Sequence, residues 1–263
     1  GFERNQQMRD RHLPQPSRQE WSSTPPDINT GDTIRAAEAI GARLANMDLL
    51  WGTPSVPSPA APQGQQPVFV ERGMGGFIAV NHAGRRFVNE ALSYDRFQTA
   101  MYEEHGKNGG GIPAWFVFDA RFRKDCAMGP LMPAVMFPDS RIPKDWLGTF
   151  VFKDDSIEGL ARQIGVAPEG LAESIRRNNE YAATGIDLDF HRGENPHDRY
   201  WADKRRKPNP CLAAIDTAPY YAVKVLPSDT GTKGGPAINE HAQVLDRNDE
   251  PIAGLRDAEV DQL

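Results

Sequence analysis

The stretch GGFIAVNHAGRRFVNEALSY, residues 75–94, predicts one corner of the fold. Two runs rich in β-forming residues, FIAV and RFV, flank a turn that contains Asn81 and Gly84, a pattern typical of a β-hairpin. Asn89 and Glu90 then suit the start of a helix, where side-chain oxygens accept hydrogen bonds from free main-chain N–H groups. The stretch therefore predicts a hairpin whose second strand leads into a helix.

Further strands and helices are predicted on both sides of this hairpin. The helix over residues 167–185 has Pro168 near its start and Gly185 at its end, which is the usual placement of these two residues. The remaining predicted elements are a helix over 156–165, strands over 114–120 and 220–226, and a second hairpin over 236–255.

A long helix is predicted nearer the start of the chain, over NTGDTIRAAEAIGARLANMDLLW, residues 29–51. Thr30 or Asp32 can cap its first turn. Four apolar residues are spaced to form one buried helical face: Ile34, Ile40, Leu44 and Met47.

Between this helix and the first hairpin, GTPSVPSPAAPQGQQP (residues 52–67) is nearly pure Pro, Ser, Gly and Gln. Such a composition predicts a linker or a loop that crosses between two bodies. The fold class is therefore α+β, with a domain over about residues 54–215 inserted between two pieces of another domain. Both ends look cut, because GFE begins as if a strand and turn preceded it and the chain stops just after the second hairpin.

Composition limits the possible classes of protein. The 263 residues are 39% hydrophobic and 25% charged, enough to bury one large core or two smaller ones. A net charge of −6 gives no electrostatic reason to expect nucleic acid or an anionic membrane as a partner. No apolar run approaches the ~20 residues that span a bilayer, and the charged N-terminus lacks the apolar segment of a signal peptide.

The two cysteines, Cys126 and Cys211, are far apart and form no Cys-x-x-Cys motif. A disulfide framework or a zinc site is therefore not expected, and a cytoplasmic location is the default.

Two polar stretches are candidate sites. The loop over residues 185–201 is rich in carboxylates, but a calcium loop counted from Asp187 would place Arg192 where Gly is required and Asp198 where Glu is required. We therefore expect a solvated loop and no metal site. The second stretch, LPSDTGTKGG (226–235), is either a flexible turn or a main-chain track that a planar or phosphorylated ligand can approach closely.

Several stretches taken together resemble one family, the FAD-dependent flavoproteins that include 3-ketosteroid dehydrogenases and soluble fumarate reductases. The resemblance runs in order along nearly the whole chain. Its main stretches are WSSTPPDINTGDTIRAAEAIGA (21–42), the opening stretch (75–94), APYYAVKVLPSDTGTKGG (218–235) and INEHAQVLDRNDEPIAGL (238–255). The initial GFE is similar to the tail of the family's Ala-Thr-Gly-Gly-Phe turn.

In that family a catalytic, or cap, domain interrupts a Rossmann-type FAD-binding domain. The resemblance implies that residues 1–53 and 216–263 are partial segments of the FAD-binding domain and that residues 54–215 are the cap. The chain resembles the middle of such a protein: the family's Gly-x-Gly-x-x-Gly unit would precede it, and RDAEVDQL (256–263) stands where the family continues differently. The implied FAD-binding residues are Gly1, Asp32, Thr232, Lys233, Gly234 and Gly235.

Two positions separate the branches of the family. Fumarate reductases carry a catalytic Arg four residues after the Glu of Phe-Val-Asn-Glu, where this chain has Tyr94. They also carry a His just before the Thr-x-Gly-Gly turn, where this chain has Thr230 and Gly231. The dehydrogenase branch has Tyr at the first position and Asp-Leu-Gly-Thr-Lys-Gly-Gly at the second, one substitution from the sequence here.

The resemblance thus implies an FAD-dependent oxidoreductase of steroid catabolism that dehydrogenates a 3-ketosteroid-like substrate and passes electrons to an external acceptor. Tyr94 would take a proton from the carbon next to the ketone while flavin N5 takes a hydride. A tyrosine, with a reference pKa of ~10, then needs a lowered pKa or a proton relay to act as the base.

Two alternatives remain open: a fumarate reductase-like enzyme acting on another unsaturated acid or enone, and a catalytically incomplete remnant or binding module. We expect the chain alone to be inactive.

Overall fold

The computed structural model describes residues 1–59, 61 and 63–256, and it mixes helix and strand. The helices are α1 (Gln6–His12), α2 (Asp32–Ala39), α3 (Tyr94–Asn108), α4 (Ala120–Asp125), α5 (Ile157–Ile164), α6 (Pro168–Thr184) and α7 (Pro196–Tyr200). The strands are β1 (Leu44–Ala45), β2 (Leu50–Pro57), β3 (Gln65–Pro67), β4 (Phe77–Val80), β5 (Ala114–Asp119), β6 (Val151–Asp154), β7 (Tyr220–Thr232), β8 (Gly235–Pro236), β9 (Gln243–Leu245) and β10 (Pro251–Arg256). None of these helices is both long enough and apolar enough to cross a membrane.

The chain divides into two compact units. The first unit contains Gly1–Gly52 and the described residues from Asp229 onward, and the second contains Thr53–Ser228. Both divisions fall inside strands, β2 and β7. The assignment of these units to an FAD-binding part and a cap remains a prediction.

The second unit is built on a sheet with the strand order β3-β2-β7-β5-β4. The pairs β3–β2, β7–β5 and β5–β4 are antiparallel, and β6 also pairs antiparallel with β7. Strand β5 is buried along its whole length, which explains its continuous apolar sequence. Helices α5 and α6 pack on the sheet around a shared apolar core. That core includes Ile78, Val80, Val117, Leu160, Leu171 and Ile175.

The predicted ends of α5 and α6 are confirmed. The hydroxyl of Ser156 accepts a hydrogen bond from the Gly159 N–H at 3.0 Å, and Gly165 ends α5 in the left-handed conformation. Helix α6 begins at Pro168 and is ended by Gly185 in the same conformation. Both helices were predictable because their end signals are local in the sequence.

The first unit contains two small antiparallel pairs, β1 with β8 and β9 with β10. The second of these pairs confirms the hairpin predicted within residues 236–255. One apolar cluster of the unit consists of Phe2, Met8, Leu13, Ile34 and Met47.

A fully buried ion pair also lies in the first unit. Arg9 Nη1 donates to Asp229 Oδ2 at 2.8 Å, and the two residues are 220 positions apart. The hydroxyl of Ser22 donates to the other carboxylate oxygen at 2.6 Å.

The long helix predicted over residues 29–51 is wrong. Helix α2 ends at Ala39, because Gly41 adopts a left-handed conformation with φ +96° and the chain turns into β1. Ile40 is consequently 61% exposed instead of buried with the rest of the expected face. The capping prediction is also wrong: Gly31 is the N-cap residue, and the Thr30 hydroxyl donates to the Asp32 carboxylate at 2.8 Å.

Three stretches predicted as loops or strands differ in the structure. Within the Pro-rich stretch, residues 52–57 and 65–67 are strand, because β2 pairs with β3, and the fixed φ of proline is compatible with extended backbone. The RFV run after the first turn forms only an isolated bridge between Val80 and Arg86. Residues 226–232 continue β7 and are not a flexible turn.

Candidate active site

Tyr94 is the first residue of α3 and lies in the second unit. Its side chain is half-buried, and its ring meets the ring of Phe69 edge to face, with centroids 5.2 Å apart at 81°.

Tyr94 lines a cavity of about 260 Å³, called the Tyr94 cavity below. This volume lies just under the ~300–1,000 Å³ of typical ligand pockets, so the cavity suits part of a large ligand. Phe69 and Trp201 line it and remain 39% and 48% exposed, which leaves apolar surface at its edge. The other lining residues are Arg72, Gly73, Ala91, Ser93, His197 and Asp198.

The cation in this cavity is Arg72, which is 4% exposed. Its Nε donates to the Val68 carbonyl at 2.7 Å, and its Nη1 donates to the carbonyls of Glu90, at 3.2 Å, and Leu92. Burial lowers the pKa of Arg72 and the nearby Glu71 carboxylate raises it. The effect of burial is larger, so the pKa is lowered to about 10. The guanidinium therefore stays charged at neutral pH.

The acid in this cavity is Asp198, whose side chain is fully buried. Its Oδ2 accepts hydrogen bonds from Asn89 Nδ2 at 2.9 Å and from the Gly193 N–H at 2.8 Å. Its Oδ1 has no hydrogen-bond partner in the described structure and lies 4.0 Å from Nδ1 of His197, whose side chain is 61% exposed. One buried carboxylate oxygen is thus available beside an exposed imidazole.

Neither Asn89 nor Glu90 caps the helix, which corrects the sequence prediction. The Asn89 side-chain oxygen accepts a hydrogen bond from the Ala91 N–H at 2.9 Å, and this bond forms an Asx turn. The helix begins four residues after Glu90, at Tyr94, and Ser93 at its N-cap makes no side-chain capping bond.

Glu90 is instead the centre of a buried ion network. Its carboxylate accepts from Arg86 Nε and Nη2 at 2.8 and 2.7 Å, from Arg192 Nη1 at 3.1 Å and from the Ala79 N–H at 2.9 Å. Arg86 Nη2 also donates to Asp187 at 2.7 Å. We call Arg86, Glu90, Asp187 and Arg192 the arginine–carboxylate network.

The loop over residues 185–201 is therefore not simply solvated, as the sequence suggested. Asp187 and Asp198 are buried, and Asp189 forms an ion pair with Arg177. Burial favours the neutral form of Asp187, but its hydrogen bond and charge interaction with Arg86 outweigh this, so the pKa of Asp187 is lowered. The carboxylates of Asp187, Asp189 and Asp198 therefore hold this loop to the rest of the second unit.

Three of the predicted FAD-binding residues are neighbours in the first unit. The Gly1 carbonyl accepts from the Gly31 N–H at 3.0 Å, next to Asp32. The Phe2 N–H donates to the Thr232 hydroxyl at 3.0 Å. The Asp32 side chain is 74% exposed, and its hydrogen bond from Thr30 lowers its pKa.

The remaining three, Lys233, Gly234 and Gly235, lie along the β1 side of the same unit. The Lys233 N–H donates to the Leu49 carbonyl at 3.0 Å, and Gly235 pairs with Ala45. A Cβ at Gly234 would stand 2.6 Å from the Met47 Cα. Glycine at 234 is thus required by contact with the chain itself, whatever its role toward a ligand.

Two features of the first unit fit an FAD group. A Cβ at Gly231 would meet no atom within 4 Å, so a planar ring can approach the main chain there. Within the described residues Oε2 of the buried Glu3 has no hydrogen-bond partner, and a ligand hydroxyl would satisfy it.

A family model described as an FAD binding domain matches residues 1–258. The chain belongs to this family. The sequence predictions of the family and of FAD as its cofactor are confirmed.

Two relatives are similar over 97% of the chain. The 3-oxosteroid 1-dehydrogenase of Mycobacterium tuberculosis is 39% identical over 260 residues, which are 45% of that protein. The crystal structure of 3-ketosteroid delta1-dehydrogenase from Sterolibacterium denitrificans, in complex with 1,4-androstadiene-3,17-dione, is 51% identical, with a TM-score of 0.94 and 45% of that chain covered.

The open conformation of a flavocytochrome c3 fumarate reductase is a more distant match, 27% identical with a TM-score of 0.61, over 97% of this chain and 38% of that one. The chain spans less than half the length of all three proteins.

The role of Tyr94 as the base stays a prediction, and the sequence carries no indication of the charged groups that share its cavity. Arg72, His197 and Asp198 come from segments more than 100 residues apart. In the sequence alone, Asp198 stands out only as a position of a possible calcium loop. No local pattern connects these residues, and only the folded chain brings them together.

Proposed function

We propose that the chain is part of an FAD-dependent oxidoreductase that dehydrogenates a 3-ketosteroid-like ketone, with Tyr94 as the general base. The observation that carries the proposal is Tyr94 in a half-open cavity with aromatic edges, in a chain 51% identical to a ketosteroid dehydrogenase. Tyrosine can accept and return a proton, whereas the arginine of a reductase at this position would donate one.

Each step of the proposed reaction would depend on particular residues of the chain. Tyr94 removes the proton from the carbon next to the ketone, and the apolar edge formed by Phe69 and Trp201 covers one end of the substrate and excludes water. The first unit would hold FAD through Gly1, Asp32, Thr232, Lys233, Gly234 and Gly235. When bound, FAD supplies the acceptor for the hydride that leaves the neighbouring carbon.

The domain arrangement follows from the same proposal. The first unit would be a partial Rossmann-type FAD-binding domain, and the second unit would be the inserted cap. Electrons would pass from FAD to an external acceptor.

The test replaces the matching region of the Sterolibacterium denitrificans enzyme with this chain and loads the chimera with FAD. We expect turnover of 4-androstene-3,17-dione with an artificial dye as electron acceptor. Tyr94→Phe should reduce kcat by about 10²–10⁴-fold, the usual contribution of a general base. Tyr102→Phe is the matched control, because it removes a hydroxyl from the same helix outside the Tyr94 cavity.

Turnover by Tyr94→Phe at the rate of the unmodified chimera would contradict the assignment of the base. Reduction of fumarate with a reduced dye, with ketosteroids inert, would favour the reductase alternative. A chimera that binds FAD and turns over neither substrate would favour a binding module.

A further inference from the structure

Arg72 is tied to the turn that precedes Tyr94. Its guanidinium donates to the carbonyls of Glu90 and Leu92, four and two residues ahead of Tyr94. A third bond, to the Val68 carbonyl, anchors the same side chain to the segment that carries Phe69. One buried side chain therefore fixes both the turn before the phenol and the segment that carries the ring packed against it.

The charge of Arg72 is only partly balanced by its surroundings. Its three hydrogen-bond acceptors are main-chain carbonyls, which carry no net charge. The carboxylates of Glu71 and Asp95 raise the pKa of Arg72, but burial outweighs them. Arg72 and Tyr94 line the same cavity, so a phenolate at Tyr94 would lie beside this buried cation and the two opposite charges would attract each other.

We propose that Arg72 is the positioning residue for Tyr94: it fixes the turn that presents the phenol, and its buried positive charge stabilises the phenolate. The proposal rests on the proposed role of Tyr94 as the base. Tyr94 can act as a base only when its phenol is deprotonated. A neighbouring cation in a low-dielectric site favours this phenolate form.

The other charged groups around Tyr94 act against the phenolate or are variable. Asp198 lines the same cavity and Asp95 is the next residue on the helix, and both carry negative charge when ionised. His197, also in the cavity, is exposed and contributes positive charge only when protonated. Among the described residues that line the cavity, Arg72 is thus the one with a permanent positive charge.

The test follows the ionisation of Tyr94 directly in the chain, without substrate or FAD. The chain is labelled with [ζ-¹³C]tyrosine, its Tyr94 signal is identified by Tyr94→Phe, and the pH midpoint of that signal is measured by NMR. Replacement of Arg72 by Gln removes the charge and keeps an N–H donor for the carbonyls, and Arg72→Lys keeps the charge. Arg96→Gln is the control, since it removes an exposed cation two residues along α3, where side chains do not face each other.

We expect Arg72→Gln to move the midpoint upward by about one pH unit or more, Arg72→Lys to move it less, and Arg96→Gln to leave it unchanged. Far-UV circular dichroism confirms that each variant is folded. A folded Arg72→Gln chain with the midpoint of the Arg96→Gln chain would overturn the proposal.

A second readout covers the case in which Arg72→Gln does not fold alone. In the FAD-loaded chimera, Arg72→Lys should retain more of kcat than Arg72→Met at the same pH, and equal losses would refute the role of the charge. The two readouts separate the hypotheses. A shifted midpoint with no ketosteroid turnover rejects the proposed function alone, whereas loss of turnover in Tyr94→Phe with an unshifted midpoint rejects the role of Arg72 alone.

Discussion

Glu90→Gln is expected to destabilise the chain strongly, although glutamine has nearly the same shape as glutamate. The carboxylate is fully buried and accepts four hydrogen bonds, three of them from the guanidinium groups of Arg86 and Arg192. Glutamine removes the negative charge and turns one acceptor into an N–H₂ group that faces other donors.

The magnitude follows from the partners left behind. Arg86 keeps its ion pair with Asp187, but Arg192, which is fully buried, keeps only hydrogen bonds to main-chain carbonyls within the described residues. Removal of one partner from a buried ion pair typically costs about 3–5 kcal/mol. For a protein of 150–250 residues this corresponds to a decrease in Tm of roughly 6–20 °C.

The assay is thermal unfolding followed by circular dichroism at neutral pH. Glu173→Gln is the matched control, because Glu173 makes the same kind of ion pair, with Arg176, at the surface. We expect no measurable change in the control. A Glu90→Gln chain that unfolds at the same temperature as the control would refute the view that the arginine–carboxylate network holds the second unit together.

Three further predictions concern stability. The folded-state pKa of Asp187 is lowered. The stabilisation by its carboxylate is therefore fully present above the unfolded pKa of ~3.9 and is lost as pH falls through the folded pKa. Acid titrations should show a smaller loss of stability below pH ~4 in Asp187→Asn than in wild type. Gly170→Ala should lower the free energy of unfolding by about 1–3 kcal/mol, since its Cβ would stand 1.9 Å from a main-chain oxygen. Gly106 has open space around it, so Gly106→Ala should raise the free energy of unfolding by about 0.5–1 kcal/mol. Urea unfolding that ranks the two variants in the opposite order would contradict this prediction. Gly234→Ala should lower Tm in the chain without flavin, because the contact with Met47 is internal; an unchanged Tm would instead leave cofactor binding as the reason for glycine there.

The sequence predicted those elements whose signals are local. Helices α5 and α6 carry their own start and stop residues, and β5 is a continuous apolar run, so all three were found. The helix over residues 29–51 failed because the apolar spacing continues past Gly41, while the main chain there turns. The Pro-rich stretch failed because composition indicates a loop, whereas pairing with β3 decides that it is a strand.

The site divides in the same way. Tyr94 could be proposed as the base because family resemblance follows the order of residues along the chain. Arg72 and Asp198 could not, because their importance depends on burial and on distances across the fold. Glu90 was misassigned for the same reason: a glutamate near a helix start suggests a cap, and only the positions of Arg86 and Arg192 identify it as a network centre.

The pairing of Arg9 with Asp229 has a consequence for how the protein is made. The ribosome synthesises Arg9 220 residues before its partner, an interval of about 10–45 s at 5–20 residues per second. Throughout that time the first unit lacks the carboxylate that balances a charge buried in its final state. The second unit is continuous in the chain and can fold during the same interval. The ion pair of the first unit can therefore form only after Asp229 has been synthesised, and any nascent chain released before Asp229 would leave the Arg9 guanidinium without its buried partner.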